Sequence, residues 1–142
     1  LFEQVVAVDN SQDMLAKASA TCQATGLNNV KLIEGVTDTV LENGQTFDLI
    51  VANMVLHHVP SPADIFLDAA ALMNFGGCFI VSDLCSHDQD WAKENCGDLW
   101  LGFEPEELTA WAADAGLVAG EQLFICLRNG FQVQVREFWK QQ

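Results

Sequence analysis

The sequence predicts a doubly wound α/β fold with a mostly parallel sheet that ends in an antiparallel hairpin. Three observations support this fold class. Short apolar runs alternate with stretches of helical periodicity along the 142 residues. The run Phe47–Ala52 is almost continuously apolar, as is typical of a parallel strand covered by helices on both faces. Near the end of the chain, Asn129-Gly130 separates two strand-like runs, which indicates a hairpin.

The first part of the chain is predicted to form a strand, a helix, a strand and a loop. Ser11 can cap the helix with its side-chain oxygen, and Gly26 can end it. The predicted elements are a strand at Phe2–Val8, a helix from Ser11 to about Thr25, a strand at Val30–Glu34 and a loop around Gly35.

The second part continues the alternation. Ser61 and Pro62 are suited to the start of a helix, and Gly76-Gly77 is suited to its end. The predicted elements are a strand at Phe47–Ala52, a helix from Ser61 to Gly76, a strand at Cys78–Leu84, a mixed segment at Ser86–Trp100, a helix after Phe103, and strands at Glu121–Leu127 and Phe131–Phe138. Since no repeat or linker interrupts this order, residues 1–142 are predicted to form one domain.

Composition excludes several classes of function. Six Lys and Arg against 20 Asp and Glu give a formal net charge of −14, which disfavours nucleic-acid and anionic membrane partners because both require a positive surface. No apolar run approaches the roughly 18 residues of a membrane span. The five cysteines form no C-x-x-C pair, so no disulfide framework or zinc ribbon is predicted. We expect a soluble cytoplasmic protein.

In doubly wound sheets, ligands bind beyond the carboxyl ends of the strands. Asp9 ends an apolar strand, where its carboxylate could accept hydrogen bonds from a ribose diol; capping the following helix is an equally good interpretation for Asp9 or Asn10. The other segments at such ends are Gly35–Asp38, Asn53–His58 and Asp83–Asp88.

The order of these segments resembles a known family. The runs VVAVDNSQDML, VKLIEGVTD, FDLIVANMVLHHV and GGCFIVSDL resemble class I S-adenosylmethionine-dependent methyltransferases, which have a Rossmann-like fold. The later HDQDWAKENCGDLWLGFEPEELTAWAADAGL is similar to the methyltransferase domain fused to arsenic-repressor-type winged-helix regulators. The resemblance implies S-adenosylmethionine as cofactor and methyl transfer to a small-molecule acceptor.

The resemblance also implies cofactor-binding residues. Asp9, with the adjacent Asn10, matches the acid that holds the ribose hydroxyls, and Met14 matches an apolar residue near the adenine, with helix core as the alternative. Val36 and Thr37 stand where the family usually has Asp-Ala at the adenine, so the contact to the adenine amine would need another residue, such as Asp38. The residue expected to face the amino-acid end of the cofactor is Asn53.

Two histidines are candidates for a general base, if the acceptor must lose a proton. His58 follows the third strand and His87 follows the fourth. A structural role in a turn or an exposed loop is the alternative for each. No metal site is predicted, because neighbouring residues such as His57 and His58 do not share a face of an α-helix.

The family's first strand and helix, with their Gly-rich cofactor loop, would precede Leu1. We therefore expect this chain to be the C-terminal part of a longer enzyme, a single partial domain from the family's second strand to its seventh. Unpaired strand edges predict a homodimer, with strand exchange as one form. Two other functions remain open: a degenerate ligand-binding or dimerisation module of a transcriptional regulator, and a nucleotide-dependent oxidoreductase.

Overall fold

The computed structural model describes residues 1–142 and divides them into two compact units, Leu1–Gly44 and Gln45–Gln142. None of the helices is both long enough and apolar enough to cross a membrane.

The first unit consists of two parallel strands and two helices. Its elements are β1 (Val5–Asp9), α1 (Gln12–Thr25), β2 (Val30–Glu34) and α2 (Thr37–Leu41). The strands pair in register from Val5 with Val30 to Asp9 with Glu34. The Ser11 hydroxyl accepts a hydrogen bond from the backbone N–H of Met14, and Gly26 ends α1 in the left-handed conformation. Both helix signals in the sequence are therefore confirmed.

The predicted loop around Gly35 is shorter than expected, because the chain enters α2 two residues later. Thr39 stabilises this start, since its hydroxyl oxygen accepts a hydrogen bond from the N–H of Val36 at 3.3 Å. Gly35 has a φ of +150°, and a Cβ there would collide with the Thr39 side chain. Glycine is therefore required at this turn.

The second unit is a four-stranded sheet with helices packed on it. Its elements are β3 (Phe47–Asn53), a 3₁₀ turn (Leu56–His58), α3 (Pro62–Leu72), β4 (Met73–Leu84), α4 (Trp91–Cys96), α5 (Pro105–Asp114), β5 (Val118–Cys126) and β6 (Gln132–Trp139). The strand order is β3-β4-β6-β5. Strands β3 and β4 are parallel, and β6 pairs antiparallel with both β4 and β5.

An aromatic cluster forms the centre of this unit. Phe66 of α3 contacts Phe79 of β4 and Phe138 of β6 edge-to-face, with ring centroids 5.3 Å and 5.4 Å apart. Leu108 and Ala112 of α5 pack against the same cluster. The core therefore joins α3 and α5 to one face of the sheet.

The terminal hairpin is confirmed. Leu127 donates a backbone hydrogen bond to Phe131, so Arg128-Asn129-Gly130 form a three-residue loop. Gly130 has a φ of 87°, the left-handed conformation that such loops require.

Three local predictions in the second unit are wrong. The helix predicted to continue to Gly76 ends at Leu72, and β4 begins at Met73. The Ser61 side chain makes no capping hydrogen bond. Only one face of β3 is covered, so Val51 is 59% exposed. Residues alternate between the two faces of a strand, so Ile50 packs against the core while Leu49 and Val51 lie on the opposite, exposed face.

Candidate active site

In the first unit, the candidate residues lie where β1 and β2 end. Asp9 is half-buried, and its Oδ1 accepts a hydrogen bond from the N–H of Ser11 at 2.8 Å. No hydrogen bond is made to Oδ2, so this oxygen can accept one from a ligand. Because Asp9 and Ser11 together order the strand-to-helix turn, the alternative structural role of Asp9 is also present.

The turn after β2 lies beside the turn after β1. The N–H of Gly35 donates to the carbonyl oxygen of Asp9 at 3.0 Å, which fixes the two turns next to each other. Val36 is 54% exposed, and half-buried Thr37 begins α2. One end of this two-stranded sheet therefore presents a carboxylate, backbone groups and an exposed apolar side chain to a ligand.

Two further candidates lie between β1 and the first turn of α1. Asn10 is exposed, and the Met14 side chain is 51% exposed. Helix core, the alternative interpretation of Met14, does not describe this side chain, since α1 contains no buried residue. Met14 and Val36 are thus apolar groups open to a planar ligand.

In the second unit, Asn53 ends β3 and pairs with Ser82 of β4. The Ser82 hydroxyl donates a hydrogen bond to the side-chain amide oxygen of Asn53. The two N–H donors of the same amide are therefore directed away from Ser82. Met54 follows with a φ of 56° and is the only residue other than glycine that has a positive φ. Such left-handed positions outside glycine occur preferentially at functional turns.

The 3₁₀ turn that follows holds His57 and His58. The His57 Nδ1 and Asp83 Oδ1 atoms are 2.7 Å apart in a buried hydrogen bond, and Asp83 also accepts the N–H of Leu84 at 2.7 Å. The side chain of His58 is 46% exposed. The two rings nevertheless converge, with centroids 4.0 Å apart.

A second buried carboxylate, Asp98, lies on the other side of His57. Its Oδ1 is 3.8 Å from His57 Nε2 and 3.6 Å from His58 Nδ1. Burial lowers the pKa of His57, but the hydrogen bond to Asp83 and the charges of Asp83 and Asp98 outweigh burial and raise the pKa above its usual value.

The other candidate base, His87, has a different environment. Its Nδ1 accepts the N–H of Gln89 at 3.1 Å, and its ring packs edge-to-face on Phe131 at 4.8 Å. Its Nε2 is buried without a hydrogen-bond partner. No contact joins His87 to His58, so the structure does not assemble the two candidate bases into one pair.

Comparison with known proteins identifies the family to which this chain belongs. Residues 2–116 match the sequence profile of a family described as a methyltransferase domain. The chain belongs to this family.

Related proteins agree with this assignment. A ubiquinone biosynthesis O-methyltransferase from Xanthomonas axonopodis pv. citri (strain 306) is 26% identical over 130 residues, covering 82% of this chain and 54% of that protein. The chain therefore spans about half the length of the curated relatives that it matches.

Solved structures confirm the class I methyltransferase fold. YcgJ from Bacillus subtilis has a TM-score of 0.80 at 13% identity and covers 99% of this chain and 83% of that one. Magnesium protoporphyrin IX methyltransferase (ChlM) from Synechocystis PCC 6803, solved with bound SAH, has a TM-score of 0.76 at 15% identity and covers 96% and 64%. The family match leaves the oxidoreductase alternative without support.

Within this methyltransferase domain, sequence reasoning missed the cluster around His57. Asp83 and Asp98 follow His57 by 26 and 41 residues, and only the pairing of β3 with β4 and the return of the chain after α4 bring them together. The single local signal was the acidic Asp83 near the end of a largely apolar strand, because a buried acid requires a partner.

Proposed function

We propose that this chain is part of an enzyme that transfers a methyl group from S-adenosylmethionine to a small-molecule acceptor. The observation that carries the proposal is the position of Asp9, which ends β1 with one carboxylate oxygen free, within a stretch that matches the methyltransferase family. A free carboxylate oxygen at the carboxyl end of a parallel strand suits the hydroxyls of a ribose.

The first unit fits the adenosine part of this cofactor. Asp9 would accept hydrogen bonds from the ribose, with Asn10 beside it. Met14 and Val36 would contact the adenine through apolar surface that is exposed in both cases. Thr37 would lie at the start of α2 beside the same group.

A further contact to the cofactor is proposed at the end of β3. Asn53 would donate from its side-chain amide to the amino-acid end of the cofactor, since Ser82 occupies the amide oxygen. When bound, S-adenosylmethionine supplies a methyl group already activated by its sulfonium, so the residues of the chain chiefly align the acceptor and exclude water.

We further propose that the acceptor atom is an oxygen. The curated relatives are O-methyltransferases by name, and a hydroxyl acceptor must lose a proton during transfer. His58 and His87 remain the proposed bases, because imidazole is the side chain that most often performs this proton transfer.

We propose that a further strand pairs with the outer edge of β3 in the working enzyme. Leu49 and Val51 are 36% and 59% exposed on this strand, and its outer backbone groups have no strand partner in the unit. An unpaired apolar edge favours pairing with another strand. A longer form of the protein or a second copy in a homodimer, including one formed by strand exchange, would each provide that strand.

Calorimetric titration with S-adenosylhomocysteine, accompanied by light scattering for the molecular mass, tests the proposal. We expect the longer protein to bind with a Kd in the micromolar range, about −8 kcal/mol. Binding by the 142-residue chain as a monomer would argue against the need for a further strand. Absence of binding by both proteins would contradict the cofactor assignment and favour a degenerate module.

A matched pair of variants tests Asp9 itself. Asp9→Asn keeps an oxygen for the N–H of Ser11 but removes the charge, and we expect about a tenfold or greater loss of affinity for S-adenosylhomocysteine. The control is Asp13→Asn, an exposed acid in the first turn of α1. Equal affinity of the two variants would contradict a role for Asp9 in ribose binding.

A further inference from the structure

A second chemically distinct cluster lies in the unit that contains the 3₁₀ turn. His57, His58 and Asp98 each offer one possible ligand atom within 4.8 Å of the other two. The Asp98 Oδ1 atom lies 3.8 Å from His57 Nε2 and 3.6 Å from His58 Nδ1. These two separations are too long for hydrogen bonds. His58 Nδ1 also lies 3.4 Å from the carbonyl oxygen of Gly97, a long hydrogen bond that a metal bound to Nδ1 would replace. The two His–Asp distances are close to the spacing of about 3.3 Å between ligand atoms placed tetrahedrally about 2.0 Å from a zinc ion.

The backbone explains why these three side chains converge. His57 and His58 are adjacent in a single 3₁₀ turn after β3, and their tilted rings have centroids 4.0 Å apart with an interplanar angle of 45°. The N–H groups of Leu99 and Trp100 both donate to the carbonyl oxygen of His57, at 2.9 Å and 3.2 Å. This double hydrogen bond anchors the chain just after Asp98 against the turn.

A fourth residue orients the first histidine. With the His57 Nδ1–H donated to Asp83, the lone pair of Nε2 is directed to the side on which Asp98 lies. A histidine that binds a metal commonly donates its other ring N–H to a carboxylate in this way. In the neutral form of His57, two electron-pair donors then face each other across 3.8 Å, and a metal ion that displaces the proton from Nε2 would stabilise this arrangement.

We propose that His57 Nε2, His58 Nδ1 and Asp98 bind one divalent transition-metal ion, with zinc as the best match, and that Asp83 positions His57 for this role. Two imidazoles and one carboxylate suit zinc and its neighbours better than magnesium or calcium, which prefer oxygen ligands alone. Because half of the His58 side chain is exposed, the ion has a path from solvent and keeps an open coordination position.

This inference does not depend on the proposed methyl transfer. With zinc on Nδ1, the His58 ring carries its proton on Nε2, so a zinc-bound His58 would not serve as the general base. The sequence predicted no metal here, on the reasoning that adjacent histidines diverge on an α-helix. That reasoning considered only the regular helix around the two histidines, whereas here they lie in one short turn with their rings close together, and Asp98, 40 residues after His58, supplies the third ligand.

Zinc titration of the 142-residue chain by calorimetry, without any nucleoside cofactor, tests the site. We expect one equivalent of zinc to bind, with at least about tenfold weaker binding in His58→Ala and in Asp98→Asn. His58 and Asp98 lie outside the apolar core, and circular dichroism of each variant verifies that it is folded. The matched control is His87→Ala, which removes the third histidine of the chain and should bind zinc as the wild type does.

Cobalt substitution identifies the ligand atoms. We expect a d–d spectrum of nitrogen and oxygen ligands with no thiolate charge-transfer band, although Cys96 lies two residues before Asp98 and is exposed. Failure of the wild type to bind zinc, equal binding by all three variants, or a thiolate band that persists in Asp98→Asn would each overturn the proposal. Failure of cofactor binding would leave it unaffected.

Discussion

Buried apolar side chains are distributed very unevenly between the two units. In residues 1–44 the only one is Val40, whereas all the others lie in residues 45–142, among them Phe66, Phe79 and Phe138. Helix α1 has no buried residue at all. The helices and strands of the first unit therefore form without a buried core. In the second unit, the burial of apolar side chains provides the main stabilisation that a domain requires.

The largest expected consequence is a difference in hydrogen exchange. Backbone amides of β4 lie in a central strand packed on the core, whereas those of α1 belong to a helix with no buried face. We expect amides of α1 to exchange at least about a hundredfold faster, since local openings range from near zero to the full unfolding free energy. Mass spectrometry of the exchanging 142-residue chain measures this, and equal protection would show that the first unit is stabilised as strongly as the second.

Removal of one ring from the core should have the next largest effect. Phe66 is 0% exposed and contacts Phe79 and Phe138 edge-to-face. We expect Phe66→Ala to lower the free energy of unfolding by about 3–5 kcal/mol. Urea denaturation followed by circular dichroism provides the measurement.

A surface phenylalanine of the same unit is the control for that substitution. Phe75 is 64% exposed and contacts the ammonium group of Lys140 over its ring at 5.0 Å. Phe75→Ala should cost about 1 kcal/mol or less, the range of an exposed cation–π contact. Similar losses for the two variants would contradict the assignment of Phe66 to the centre of the core.

The sequence predicted the elements of the fold wherever a local signal was sufficient. Ser11 and Gly26 set both ends of α1, and Gly130 marked the hairpin loop. The boundary at Met73 was misplaced because an apolar residue suits the end of a buried helix and the start of a buried strand equally well. Tertiary pairing with β3 decides between the two.

The residues of the candidate site also divide into those that have a local sequence signal and those that have none. Asp9 could be selected because it follows an apolar strand directly, a local pattern. The roles of Asp83 and Asp98 could not, since each depends on contacts with residues 26 and 41 positions away. The left-handed conformation of Met54 was likewise invisible, because methionine carries no signal for it.

Thiol labelling compares the two units through their cysteines. Cys22 of α1 is half-buried, whereas Cys78 of β4 is buried; burial, with the charge of Glu137 adding to it, raises the pKa of the Cys78 thiol above its usual value of 9.0. Since the thiolate is the reactive form, Cys78 should be labelled by iodoacetamide more than about tenfold more slowly at neutral pH and should gain reactivity as the pH rises. Peptide mass spectrometry gives both rates, and faster labelling of Cys78 would contradict its placement in the core.

The smallest expected effect separates two serines that the sequence places in the same role. Both Ser11 and Ser61 precede a helix, but only the Ser11 hydroxyl accepts a capping hydrogen bond, from Met14 at 3.3 Å. Ser11→Ala should therefore destabilise α1 by about 1 kcal/mol, and its amides should exchange about fivefold faster. Ser61→Ala should leave exchange in α3 unchanged, because Pro62 already favours that helix start without a side-chain cap. Equal effects in the two helices would mean that the Ser11 bond contributes nothing, and that α1 persists through backbone propensity and its contacts with β1 and β2 alone.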